Sequence, residues 1–351
     1  MSPVSTPARG GTSIGAFKAG TVRLALHSFS FEHHRRHGRG FDVYALIDAA
    51  VGLGLAGIHI SLNDATYRWI GGTAPERLSA VREALRARGL FVEVDTSGTD
   101  PDHLIALLDA ARMLGADRLR TYVTLAGDPD EMARAAVVGL RAAAPIAAGH
   151  GITILLENHE DFTGREVARI LEDVDHDAVG AVYDFGNSMM VMEDPMVTAK
   201  AMAPFVRSVH VKDQIVAVDA PSKQAFVYGV PIGRGTIPIE PILAHLLATT
   251  DLDRLCVQSV HGYRAPFARN AERLDEAAAR YPTFAPVPMI ADEAAFLADA
   301  EALARIDPAR LLNRELGAVA WGIGRLREIL ADLGFKPSPA GHPGEYRKSA
   351  A

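Results

Sequence analysis

Short apolar runs alternate with amphipathic stretches along most of the chain. Each run is rich in β-branched residues and is followed by apolar residues at helical spacing, as in parallel βαβ units. We count eight such runs, and eight parallel strands close a barrel and leave no sheet edge. They are Val22–Phe29, Gly57–Ser61, Phe91–Thr96, Arg118–Thr124, Gly151–Glu157, Ala181–Phe185, Val206–Val211 and Leu255–Val260. The pattern therefore predicts an α/β fold, a (β/α)8 TIM barrel with additional C-terminal helices.

Start signals for helices lie between the runs. Thr73 to Glu76 and Thr163 to Glu166 have the spacing of capping boxes. Asp128-Pro129 and Asp194-Pro195 each place a capping acid before a proline suited to the first helical position. These signals predict helices on the outside of the barrel.

The chain divides into four predicted segments. Residues 1–20 are rich in Ser, Thr, Pro and Gly and predict a flexible arm, and residues 336–351 predict a flexible tail. Residues 21–264 hold the barrel. Residues 265–335 predict a helical extension, with helices over Asp292 to Arg305 and Pro308 to Leu333, packed on the barrel or on a partner.

Composition excludes several classes of function. The net charge is −7 and the sequence pI about 6.0, so no overall positive field attracts nucleic acid. The single cysteine, Cys256, lies in an apolar run and is expected to be a core thiol.

The N-terminus lacks a signal-peptide core, and the uncharged stretch Ala142 to Leu156 is too short and broken to span a bilayer. We expect a cytoplasmic protein without a membrane partner.

Polar residues follow four successive runs in the second half of the chain. In a barrel of this type, working residues lie at the carboxyl ends of the strands. Carboxylate, imidazole and amide oxygen together suit one divalent ion, with Mn²⁺ favoured and Mg²⁺, Co²⁺ or Zn²⁺ as alternatives. The predicted ligands are Glu157, Asp184, His210 and Gln258.

Three of these strand ends resemble a known family. Leu156-Glu157-Asn158-His159, Tyr183 to Asn187 and Val209 to Asp213 resemble signature strands of the sugar phosphate isomerase/epimerase superfamily, the xylose-isomerase-like barrels. Pro231 to Gly235 resembles the Gly-x-Gly loop after the seventh strand of that family. The resemblance implies a metal held by the Glu, Asp and His, a glutamate that often also acts as a base, and a small sugar-like carbonyl substrate.

One departure from the family pattern affects the chemistry. The family usually has a glutamate where Gln258 stands, and glutamine keeps the oxygen ligand but takes no proton. Epimerisation with two bases then needs a substitute such as His159 or His261. Proton removal from one side remains open, as isomerisation, dehydration or β-elimination.

The glutamine and the long helical tail also resemble the large subunit of bacterial C-glycoside deglycosidases, which cleave 3-oxo-glycosides by elimination. This narrower resemblance implies a lyase that acts on 3-oxo-C-glycosides. It also implies an oligomer with a small second subunit.

Further residues are candidates for catalysis or substrate binding. We assign catalytic roles to Glu157, His159 and Lys212, and substrate-binding roles to His27, His59, Asn158, Arg234 and His261. Several of these have a structural alternative, because a lone histidine in an apolar run is usually a hydrogen-bonded core residue. The histidine-rich stretch from His27 to His37 fits a substrate loop or lid and equally fits a solvated loop.

Three competing functions stay open beside the isomerase or lyase. One is a ketose 3-epimerase with two bases. A second is an apurinic-endonuclease-like phosphodiesterase, which needs a three-metal cluster and a basic face that the acidic charge disfavours. A third is an inactive sugar-binding homologue, with Gln258 as a mark of lost chemistry.

Overall fold

A closed parallel barrel forms the centre of the protein. The computed structural model describes residues 20–124, 126–218, 224–288, 293, 296, 304, 305, 307–338 and 342–349. Within them, eight parallel strands close because β1 pairs with β2 on one side and with β10 on the other. The barrel strands are β1 Thr21–His27, β2 Gly57–Ser61, β3 Phe91–Asp95, β4 Arg118–Thr121, β5 Thr153–Glu157, β6 Val179–Asp184, β7 Val206–Val211 and β10 Arg254–Val257. The predicted (β/α)8 barrel is confirmed.

Helices surround the barrel, and most lie where the sequence predicts them. The capping box at Thr163 is confirmed, whereas the one at Thr73 is wrong, because helix α3 begins after Ala74 and has no side-chain cap. The helices are α1 Glu32–His37, α2 Val43–Gly52, α3 Pro75–Ala87, α4 Pro101–Leu114, α5 Pro129–His150, α6 Gly164–Val174, α7 Pro195–Met202, α8 Ile239–Thr249, α9 Leu274–Arg280 and α10 Pro308–Asp332.

Helix α5 is long and apolar enough, by length and composition alone, to cross a membrane. In this fold it packs between α4 and α6 and against β5, with Leu140 and Ala143 fully buried. Its apolar residues therefore pack against the neighbouring helices and strand of the barrel.

A small antiparallel sheet begins directly after β7. The sequence analysis did not predict it. The sheet contains β8 Asp213–Val218, β9 Ala225–Val230 and β11 Arg264–Ala265. Asp213 Oδ2 accepts hydrogen bonds of 2.8 Å from the backbone N–H groups of Gly233 and Gly235. A Cβ on Gly235 would lie 2.0 Å from Asp213 Oδ1, so the close approach requires glycine. This contact fixes the glycine loop that the sequence analysis singled out.

The C-terminal residues differ from the predicted flexible tail. Strands β12 Phe335–Pro337 and β13 Glu345–Lys348 pair as a hairpin, and β13 pairs antiparallel with Thr21 to Arg23 of β1. The proline and glycine content of this segment suggested disorder, but its two strands form a hairpin bound to the barrel. The predicted N-terminal arm lies outside the described residues except for Gly20. The helix predicted over Asp292 to Arg305 also lies mostly outside them.

Helix α10 fixes the segment that follows β1. The predicted helix over Pro308 to Leu333 is confirmed within one residue, and it packs on α1. Glu315, only 5% exposed, accepts backbone hydrogen bonds from His33 (2.7 Å) and His34 (2.8 Å), and its carboxylate contacts His34 Nδ1 at 2.5 Å. The C-terminal extension therefore determines where this histidine-rich segment lies.

Replacing Glu315 with glutamine should lower the free energy of unfolding by about 1–3 kcal/mol, because buried N–H donors lose a charged acceptor. Urea denaturation measures the effect. The matched control is Glu328→Gln, which lies on the same helix and is 67% exposed in its side chain. A change of less than about 0.5 kcal/mol is expected there. Equal stability of the two variants would contradict a structural role for Glu315.

Candidate active site

The ends of three neighbouring strands bring Glu157, Asp184 and His210 together in the barrel. Glu157 ends β5, Asp184 ends β6, and His210 on β7 is the register partner of Asp184. All three side chains are buried, and one ligand atom from each lies within 4.8 Å of the others. Glu157 Oε1 lies 2.6 Å from His210 Nδ1, and Asp184 Oδ2 lies 3.8 Å from the same nitrogen. The predicted convergence of these residues is therefore present.

The two carboxylate oxygens of Asp184 differ in their hydrogen bonding. Its Oδ1 accepts hydrogen bonds of 2.9 Å from the backbone N–H groups of Gly186 and Asn187. Its Oδ2 lies 3.0 Å from Lys212 Nζ, but no described residue gives it a hydrogen bond of good geometry. A buried carboxylate oxygen left in this state can serve as a ligand for a cation.

The two carboxylates have pKa values that move in opposite directions. Burial opposes ionisation of Glu157, but hydrogen bonds and charge from Arg120 and His210 lower its pKa well below the usual value. Burial, together with repulsion from Glu157, raises the pKa of Asp184 to about 6, although Lys212 acts against this shift. Glu157 is thus ionised at neutral pH, and Asp184 is the carboxylate that most lacks positive charge.

Three histidines form a second cluster beside this one. The rings of His27, His59 and His210 lie 4.6 to 4.9 Å apart. His27 Nδ1 accepts a hydrogen bond from the backbone of Phe29, so its neutral ring carries the proton on Nε2, 3.2 Å from Asp95 Oδ2. His210 Nε2 and His59 Nδ1 lie 3.2 Å apart. Burial lowers the pKa of His59 to about 4, so this ring is neutral at pH 7.

The charge of their donor atoms distinguishes the two clusters as cation sites. The histidine trio offers ring nitrogens alone, and Nε2 of His27 and of His59 have no hydrogen-bond partner among the described residues. The trio of Glu157, Asp184 and His210 offers two carboxylates, its Asp184 Oδ2 also lacks a hydrogen bond from any described residue, and His210 Nδ1 faces both carboxylates. Oxygen and imidazole donors at these separations fit a divalent ion such as Mn²⁺, Mg²⁺ or Zn²⁺. The acidic trio could therefore hold a metal ion.

A cavity of about 390 Å³ lies next to this trio, because Arg120, which bonds Glu157, and Lys212, 3.0 Å from Asp184, both line it. The predicted residues His27, His159, Lys212 and Gln258 line it. Gln258 Oε1 and His159 Nδ1 are buried and have no hydrogen-bond partner within the described part of the chain. Burial, with the charges of Arg120 and Lys212 in the same direction, lowers the pKa of His159 to about 3. His159 is therefore neutral at pH 7.

The sequence analysis missed Arg120 and Tyr122, which line the same cavity. The Arg120 guanidinium lies 4.6 Å over the Tyr122 ring, whose other partner is the His159 ring, stacked at 3.7 Å. A signal was present, because Arg118 and Arg120 alternate along a buried strand and alternate positions point to the same face. Two arginines on the inner face of a barrel strand indicate partners inside the barrel.

Four predicted substrate contacts differ from the structure. The Asn158 side chain donates to Asp184 O (2.9 Å) and accepts from Asp184 N (2.8 Å), so it joins two strands, and it is fully buried and does not line the cavity. His59 is fully buried behind the cavity wall. Arg234 and His261 line a different cavity, because the β8–β9 hairpin carries their loops towards Trp321 of α10.

Sequence and structure comparisons identify the family. Residues 47–257 match the family model described as the xylose isomerase-like TIM barrel. The uncharacterized protein YihM of Escherichia coli (strain K12) is 25% identical over 231 residues, which are 66% of this chain and 70% of that protein. The 3-oxo-isoapionate decarboxylase of Pectobacterium atrosepticum is 28% identical over 147 residues, which are 42% of this chain and 53% of the enzyme. This chain thus spans about half of the decarboxylase.

Among solved structures, D-psicose 3-epimerase from Clostridium cellulolyticum H10, in complex with D-tagatose, has a similar fold. Its TM-score is 0.57 at 14% identity, with 86% of this chain and 98% of the epimerase covered. This likeness concerns the barrel fold, whereas the family match extends over more than half of the chain. The chain therefore belongs to the xylose isomerase-like TIM barrel family.

Proposed function

We propose that the protein is a divalent-metal-dependent enzyme that removes a proton next to the carbonyl of a sugar or oxo-sugar. The observation that carries this proposal is the convergence of Glu157, Asp184 and His210 next to a polar cavity, with Asp184 Oδ2 lacking a hydrogen bond from any described residue. A divalent ion held there would polarise a substrate carbonyl and so acidify the neighbouring C–H group. Mn²⁺ is the ion that we favour.

Each residue has a proposed part. Glu157, Asp184 and His210 hold the ion, and Gln258 adds a neutral oxygen from the cavity wall. Glu157, which is ionised, also accepts the proton. Lys212, whose Nζ also donates to Asn187 Oδ1 at 2.8 Å, contacts the substrate from the floor. His159, which lines the same cavity and stacks on Tyr122, contacts a substrate hydroxyl.

Chemistry with a single base fits this site better than epimerisation with two bases. Gln258 takes no proton, and the low pKa of His159, about 3, makes that ring a weak replacement for a second carboxylate. We therefore favour isomerisation or elimination, including β-elimination of 3-oxo-C-glycosides. Similarity to a decarboxylase that is named for an oxo-sugar substrate supports this substrate class.

His59 is proposed to orient His210. A neutral His210 that offers Nδ1 to a cation carries its proton on Nε2, and His59 Nδ1 is placed 3.2 Å away to accept it. Such partners of a ligating histidine fix its tautomer and ring orientation. This role replaces the substrate contact predicted for His59.

Metal binding can be tested directly. The purified protein should hold about one divalent ion per chain, measured by elemental mass spectrometry after dialysis against Mn²⁺. Asp184→Asn should reduce this to a small fraction, because the amide has no charge for the ion. The control, Asp173→Asn, changes an exposed acid on α6 and should keep the ion. Full metal content in Asp184→Asn would refute the assigned ligand set.

Proton removal can be tested by exchange in deuterated water. Incubation with keto-sugars and 3-oxo-glycosides should place deuterium at the carbon beside the carbonyl in substrate or product. Glu157→Gln should reduce this rate about 100-fold or more, while circular dichroism shows an intact fold. Glu172→Gln, an exposed change on α6, is the control. Normal exchange by Glu157→Gln would exclude this residue as the base.

The role of His59 predicts a loss of affinity without loss of the site. His59→Phe should weaken Mn²⁺ binding by about 10- to 100-fold, measured by titration calorimetry. His59→Gln, which keeps a hydrogen-bonding group, should recover part of the affinity. Unchanged affinity in His59→Phe would show that this ring only fills space.

A further inference from the structure

Buried cations line the floor of the cavity and have hydrogen-bond donors that remain unused. Lys212 is 6% exposed, and its ammonium donates to Asn187 (2.8 Å) and lies 3.0 Å from Asp184 Oδ2, which leaves at least one of its three N–H groups. Arg120, equally buried, bonds Glu157 and Thr96 O, and its Nε has no partner among the residues described. Asn187 Nδ2 is likewise buried without a described partner. All three residues line the cavity.

The charges of the cavity and its floor do not balance once a divalent ion is present. Counting the histidines as neutral, the buried cations that line the cavity exceed its buried carboxylates by one. They are Arg120 and Lys212, against Asp95. Glu157 and Asp184 next to the cavity reverse this to an excess of one negative charge, and a divalent ion on them leaves an excess of one positive charge.

Gln258 is the reason that this excess is not neutralised by the protein itself. A glutamate at this position, lining the same cavity, would cancel the surplus. The amide leaves the cavity in need of an anion, because an unbalanced charge in a buried site is costly. The bound substrate is the group that can supply it.

We infer that Lys212, Arg120 and Asn187 form an anion subsite, and that the substrate is a sugar derivative carrying a carboxylate, such as an oxo-sugar acid. This inference rests on the proposed metal site, since the ion creates the surplus charge. It also gives Lys212 a definite role. An ion on Asp184 would compete with the ammonium for Oδ2 and free Lys212 for the substrate carboxylate. Charge-assisted hydrogen bonds to a carboxylate are among the stronger polar contacts in proteins.

The test uses two probes that differ in one group. L-sorbose ends in a CH₂OH group where 5-keto-D-gluconate has a carboxylate, and this carboxylate is remote from the carbonyl, so the two cannot chelate the ion as one unit. Calorimetry at pH 7 and constant ionic strength should give the keto acid at least about tenfold higher affinity for the Mn²⁺-loaded protein. The metal-free protein should show a smaller preference.

Lys212→Met should remove most of the preference for the keto acid. The matched control is Lys200→Met, an exposed lysine on α7 outside the cavity, which should keep it. Equal affinity for the two probes, a preference that survives Lys212→Met, or no binding of either probe would overturn the subsite. Bound Mn²⁺ and deuterium exchange without preference for the acid would overturn the subsite alone. Preference for the acid in a protein without exchange would overturn the proposed reaction and leave the subsite standing.

Discussion

The burial of two carboxylates side by side is the constraint on which this site depends. Glu157 and Asp184 are fully enclosed by the barrel, and removing charges from water costs several kcal/mol for each ion unless a counter-charge is present. Arg120 and His210 supply it for Glu157, whereas Asp184 has Lys212 and remains short of positive charge, so its pKa rises to about 6. A cation at Asp184 would therefore compensate the negative charge that the fold buries there.

The same constraint gives the two sides of the site different chemistry. Arg120 keeps Glu157 ionised, but the guanidinium also makes this carboxylate a weaker base in the free protein. On another wall, Gln258 provides an oxygen and takes no proton, and burial keeps His159 neutral. This asymmetry is the reason that the reaction proposed above is isomerisation or elimination rather than inversion of a stereocentre.

The sequence predicted the barrel and the acidic trio because both depend on local signals. The strand runs recur in order, and parallel strands place their carboxyl ends at one rim, so Glu157, Asp184 and His210 meet whatever the details of packing. Pairings between distant residues have no such signal. The sequence predicted Asn158 as a substrate contact, but its side-chain amide is hydrogen-bonded to the backbone of β6. Arg234, which follows the β8–β9 hairpin, lines a different cavity. Arg120 was missed because the sequence analysis considered only polar residues at the ends of strands, and Arg120 lies one residue before the end of β4.

The C-terminal extension belongs to the site through one buried carboxylate. Glu315 on α10 binds the start of α1, and Glu32 and Arg35 of α1 form part of the cavity mouth. Glu32 pairs with both Arg35 and Arg36, so the orientation of two mouth cations depends on where α1 is held. The barrel strands position Glu157, Asp184 and His210, while α10 positions the charged residues at the entrance of the cavity. These contacts join residues 281 and 282 positions apart in the sequence, so the entrance of the cavity depends on helix α10 as well as on the barrel.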